Sequence, residues 1–234
     1  MKHFRLTDET KTLECGTKLF KIEATVDFRH AKKGDRGGWV EDEENISGEA
    51  WVAENAMVFG DAKVTDNAMV SGNAMVFGDA KVFENARVSS YAEVSDKAKI
   101  SGKAIVSCMA EIYGYSLVTG DAYISGKARI SGDAYISGDA YISGKARISG
   151  DAFVSGDAFI SGDAYVMWFS RVGSENGTLT AFLNREKEII ITRGCFVGTI
   201  AEFREKIKHS KKSIRKEYEV LADFISLRFK NILV

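Results

Sequence analysis

From Ile46 onward one β-branched apolar residue recurs at a fixed interval of six. Val or Ile occupies every sixth position from Ile46 to Val166, 21 positions without exception. Ala follows four residues after each of the first 20, from Ala50 to Ala164, with Ser116 the only substitution. The unit reads [VI]-S-G-[DNK]-A-x, as in Ile136-Ser137-Gly138-Asp139-Ala140-Tyr141. On a short strand the β-branched side chain points inward and its two neighbours outward, because strand side chains alternate. Gly-Asp or Gly-Asn makes a corner where φ > 0 is tolerated, and Ala returns to the interior beside the bend. A helix is excluded: a period of six spreads apolar residues around the whole cylinder, and recurrent Gly would break it.

Three six-residue sides close one triangular coil of 18 residues. The 21 units of the sequence predict an all-β left-handed parallel β-helix over 46–167, about seven coils stacked to a height of roughly 34 Å. Residues 18 apart then lie in one column.

The flanks lose the repeat. Residues 1–45 read as an N-terminal β cap, required because an open solenoid end exposes unpaired strand edges. A hairpin is expected around Gly16, and Gly34 to Val40 leads into the first coil, with Trp39 and Trp51 packing at the junction. Residues 168–234 read as a small C-terminal α+β domain. Its strands are expected over 168–172, 179–183 and 188–192, with Ser174-Glu175-Asn176-Gly177 turning between the first two. Thr199 and Glu202 form a capping box for a helix reaching about His209, with Ile200, Phe203 and Ile207 on its apolar side. A second helix starts at Ser213 and gathers Ile214, Tyr218, Leu221, Ile225 and Ile232 on one face.

Composition adds little until it is divided. The 234 residues are 45% hydrophobic and 28% charged, with net charge −1. The repeat body alone holds 10 basic against 15 acidic residues, whereas residues 167–234 hold 13 basic against 8 acidic. An acidic rod carries a basic end. Cys15, Cys108 and Cys195 are scattered without a CxxC spacing, and no apolar run approaches the roughly 18 residues of a membrane span. A reducing cytoplasm is the expected compartment, that of the host cell if a phage encodes the chain, with no membrane association.

Gly34-Asp35-Arg36-Gly37-Gly38-Trp39-Val40-Glu41 followed by hexapeptide coils is similar to the YdcK-like β-solenoid proteins of bacteria and their prophages. The stretches from Gly173 to Phe182 and from Arg193 to Thr199 resemble the C-terminal segment of uncharacterised phage proteins of that kind. The resemblance covers nearly the whole chain. It implies architecture and phage or prophage origin, and brings no established chemistry.

Hexapeptide-repeat acyltransferases use a histidine base on or near a coil. Here His3, His30 and His209 all fall outside the repeat, and no inserted loop shapes a pocket. No coil supplies the three histidines of a zinc site. Corner aspartates stack as Asp121, Asp139 and Asp157, and as Asp133 and Asp151, which turn geometry explains better than calcium. Cys195 and His209 could form a thiol–imidazole pair, but a cysteine beside Phe196 after an Ile-rich strand reads as packed core. No catalytic residue, metal or cofactor is assigned.

Two surfaces remain. One column of outward residues runs Trp51, Met69, Arg87, Ile105, Tyr123, Tyr141, Phe159. Its apolar members predict a subunit interface, with a homotrimer favoured and a dimer as the other form. The alternative cover is the chain's own C-terminal domain. Arg204, Lys206, Lys208, Lys211, Lys212, Arg215 and Lys216 make the densest positive cluster, with Glu205 the one acid among them. They predict contact with an anionic protein or nucleic-acid partner. The expected function is therefore a non-enzymatic scaffold presenting a basic module to a macromolecular or anionic partner, in a phage setting as interference with a host defence system. The competing reading is an acyltransferase-like enzyme with an intersubunit site.

Overall fold

The structure is a computed structural model that describes residues 2–156, 158–161, 166–173, 177–184 and 186–231. The turn expected at Ser174, Glu175 and Asn176 lies outside the described residues, as do Asp157, Ala164, Tyr165 and Ile232.

Strands β1 (Phe4–Thr12) and β2 (Lys18–Ala24) form the hairpin around Gly16, and β3 (Arg36–Val40) continues the sheet antiparallel to β2. Strand β3 then pairs in parallel with the first strand of its face, Trp39 beside Met57, and so converts a hairpin sheet into a solenoid wall. Two-residue strands β4 to β22, from Trp51–Val52 to Phe159–Ile160, make the coils. Each pairs in register with the strand 18 residues on, giving three parallel sheets and a solenoid of about seven turns. Among the described residues the repeated Val, Ile and Ala side chains are buried and form one continuous core. Ser116, standing where Ala is the rule, is equally buried and donates its hydroxyl to the Tyr113 carbonyl at 2.7 Å.

The left-handed backbone falls on the residue two after each Val or Ile. Glycine holds most of these corners, at φ near 70°, as at Gly102 and Gly138. Glu54, Asp66, Glu84, Ser90, Asp96 and Cys108 adopt the same conformation at a steric cost. Some of these side chains recover part of that cost: the Glu84 amide donates to the Asp66 carboxylate at 3.0 Å, and the Glu84 carboxylate accepts from the Gly102 amide at 2.5 Å.

Each end is closed by side chains as well as by strands. Near the first coil, buried Asn45 accepts from the amides of Glu41 and Asp42 at 3.1 and 2.8 Å. Its Nδ2 donates to the carbonyls of Gly60 and Ala62 at 2.9 and 3.0 Å. His3 and His30 place Nε2 against the carbonyls of Ala50 and Asn67, at 2.8 and 3.1 Å. The two tryptophans lie on different faces. Trp51 is buried beneath Phe28, ring centroids 5.5 Å apart, whereas Trp39 stands outward beside Lys11 and Lys21.

At the other end, β23 (Met167–Val172), β24 (Gly177–Leu183), β25 (Ile189–Arg193) and β26 (Phe196–Thr199) form an antiparallel sheet. The sequence reading lacked β26. Alternation along β24 and β25 explains the position of this sheet. Phe182 and Ile190 join the solenoid core, while Leu179, Ala181 and Ile191 face the helices α1 (Ile200–Ile207) and α2 (Lys212–Lys230). The sheet is thus a layer between the end of the prism and the helix pair. Helix α1 has the expected capping box, in which the Thr199 amide and hydroxyl hold the Glu202 carboxyl below its usual pKa. It ends two residues short of His209. No helix among the described residues is long and apolar enough to cross a membrane.

Candidate functional site

Two of the seven residues of the basic cluster are held in ion pairs. Arg204 turns back onto α2 and pairs with Asp223 at 2.8 Å, and Lys208 pairs with Glu205 at 2.6 Å. Lys212, Arg215 and Lys216 lie in the first turns of α2. Lys206 and Lys211 are the two that reach a common cavity, a cleft of about 510 Å³ between the β25–β26 turn and the start of α2.

Four elements build that cleft, of which α1 supplies Phe203, Lys206 and Ile207. The turn at Gly194, with φ +55°, brings Arg193 and Phe196 into register across β25 and β26. The connection after α1 supplies Ser210 and Lys211, and Ile214 and Tyr218 of α2 form an apolar wall. Helix α2 begins there without a side-chain cap and without an acid in its first turn. Its unpaired backbone N–H groups and the positive end of its dipole therefore add to the lysine charge, an arrangement that costs stability unless an anion answers it.

Arg193 is the residue that charge counting missed. Its guanidinium is tied to the Val172 carbonyl at 2.9 Å, while its Nε is enclosed without a hydrogen-bond partner. Glycine at 173 and 177 makes room for this: a Cβ on Gly177 would sit 2.6 Å from the guanidinium. The resemblance had already marked the Arg193 to Phe196 stretch, but without its charge as the reason.

Comparison with known proteins finds no matching family model and no matching curated protein.

The other expected sites redistribute. Cys195 is exposed at the tip of the β25–β26 turn, which corrects its placement in the core; a two-residue turn cannot fold its side chain back between the sheet and the helices. Trp51 leaves the apolar column, since Phe28 covers it. Met69, Ile105, Tyr123 and Tyr141 remain half-buried along that face, and Phe159 is exposed. Tyr123, Tyr141 and Phe159 stack with centroids 5.3 and 5.1 Å apart, so part of their burial is against one another. The C-terminal domain sits over the end of the prism, where Ala158 bridges to Asn184, and Phe159 remains 36% exposed. Burial lowers the His30 pKa, opposed by the hydrogen bond to the Asn67 carbonyl and helped by Arg29 and Arg87. Among the described residues no group of three or more His, Cys, Asp or Glu is placed to hold a metal ion.

Proposed function

We propose that the protein is a non-enzymatic binding module that receives a phosphate-bearing partner in the cleft of its C-terminal domain, with the solenoid as the rigid body that presents it. One observation carries the reading: the uncapped start of α2 opens on a cavity flanked by Arg193, Lys206 and Lys211. Phosphate oxygens would meet the backbone N–H groups and the lysine ammonium groups, and Phe196, Ile214 and Tyr218 offer an apolar wall to whatever carries the phosphate. In the phage setting that the sequence resemblance implies, the partner is a host macromolecule.

The test is thermal unfolding of the full chain at low salt with inorganic pyrophosphate, and mobility of short RNA and DNA duplexes in added protein. A saturable rise in Tm that Lys206→Glu with Lys211→Glu abolishes supports the cleft. A retarded nucleic acid identifies the macromolecular class. No stabilisation and no retardation at low salt would sink the reading, because screening is then at its weakest.

A further inference from the structure

The third face of the prism carries charges in an order that its own ladder serves poorly. Glu93, Glu111, Arg129 and Arg147 follow one another in register on successive coils. Acid therefore stacks on acid and base on base at the two outer steps, which is unfavourable between directly opposed strand residues. Glu111 and Arg129 meet at 2.8 Å in the middle. Glu93 and Arg147 have no ion-pair partner among the described residues. An alternating order would have paired all four within the chain.

The order acid, acid, base, base is complementary to itself when reversed. We propose that two copies of this chain pair antiparallel through this face, about a two-fold axis running along the strands between Glu111 and Arg129. That operation sets Glu93 against the partner subunit's Arg147 and Glu111 against the partner subunit's Arg129, twice over. Parallel packing would set each charge against itself.

The neighbouring column, two residues earlier, has the same symmetry. Tyr91 and Met109 stand level with the acids, 64% and 50% exposed, and Lys127 and Lys145 stand level with the arginines. The two-fold axis places Lys145 over the partner's Tyr91, a cation–π contact, and Lys127 over the partner's Met109. The groove of about 320 Å³ between Met109, Glu111, Lys127, Arg129, Lys145 and Arg147 is where these side chains interdigitate. With the axis between Glu111 and Arg129 about four coils overlap, covering roughly 300 Å² per copy, so the dimer is weak, rests on the facing charges and is loosened by salt. This pairing is independent of the phosphate cleft.

Sedimentation velocity of the full chain over a concentration series at low salt decides it. A reversible dimer is expected, with Glu93→Arg or Arg147→Glu each raising its dissociation constant about tenfold or more. Reversing all four charges (Glu93→Arg, Glu111→Arg, Arg129→Glu and Arg147→Glu) is expected to return to within about threefold of the natural chain, because like charges still stack within each chain and the facing charges are restored in the opposite sense. All four side chains lie outside the core, and circular dichroism of each variant checks the fold. A monomer at every concentration overturns the proposal. So does an oligomer indifferent to the single substitutions, or a fourfold charge reversal that stays weak.

Discussion

The hydroxyl of Thr192 donates to the backbone carbonyl of Phe153 at 2.7 Å, joining the last sheet to the strand on which one wall of the prism ends. Thr180 completes the arrangement by accepting from the Phe153 amide at 3.0 Å. One coil earlier, the Tyr135 amide donates to the Ala152 carbonyl of the coil below. At Phe153 there is no further coil, and two buried threonine hydroxyls stand in for its backbone. An edge that would recruit another strand is closed without adding one.

Thr180→Val should therefore leave the Phe153 amide buried and unpaired, at a cost of about 1–3 kcal/mol, and Thr192→Val should do the same to its carbonyl. Hydrogen exchange separates the two: the Phe153 amide should exchange faster in Thr180→Val than in Thr192→Val. Equal protection in both variants would remove the role given to these hydroxyls.

Asn45 closes the opposite end with four hydrogen bonds from one buried amide. Asn45→Ala is expected to cost about 2–4 kcal/mol, since two backbone amides and two carbonyls lose a partner together. Asn45→Asp should be worse, because a carboxylate would face the carbonyls of Gly60 and Ala62. Urea denaturation midpoints that rank Asp below Ala below Asn would agree with this account.

The corners predict opposite effects of glycine at two sites. A Cβ at Gly102 would lie 2.6 Å from the Gly120 carbonyl oxygen in a left-handed backbone, so Gly102→Ala should destabilise by about 2–3 kcal/mol. Cys108 already bears its side chain at φ 60°. Relief of that strain outweighs the entropy of an added glycine by a small margin, and Cys108→Gly should raise stability by up to about 1 kcal/mol. Melting temperatures measured side by side should move in opposite directions.

His30 adds a pH dependence near neutrality. Burial, helped by Arg29 and Arg87, lowers its pKa in the folded chain below the usual 6.5. The unfolded chain then binds more protons between the two values, so stability is complete above about pH 6.5 and falls as the pH drops toward the folded value. Replacing His30 with Gln, which can still donate to the Asn67 carbonyl, should flatten this segment of the stability curve. A slope unchanged between pH 5 and 7 would assign it to another group.

Much of the architecture was legible because its signal is local and repeated. A Val or Ile at every sixth residue with Ala four later leaves a single inward set, and each coil repeats the solution of the one before. The hairpin at Gly16 and the capping box at Thr199 and Glu202 were legible for the same reason, each being a rule over a few residues. Strand β26 was missed because Phe196, Val197, Gly198 and Thr199 show no alternation of their own; pairing with β25 makes them a strand.

The site was less legible because charge along a chain does not say where each charge points. By itself the sequence determined the coil period, the columns 18 residues apart and hence the order of charges on every face, since a fixed period leaves side chains no choice of direction. Only the tertiary structure decided that Arg204 is paired with Asp223, that Phe28 covers Trp51, and that Arg193 meets Lys206 and Lys211 at one cleft. These contacts join residues on different elements, and no spacing encodes the angle at which a sheet, a turn and a helix come to pack.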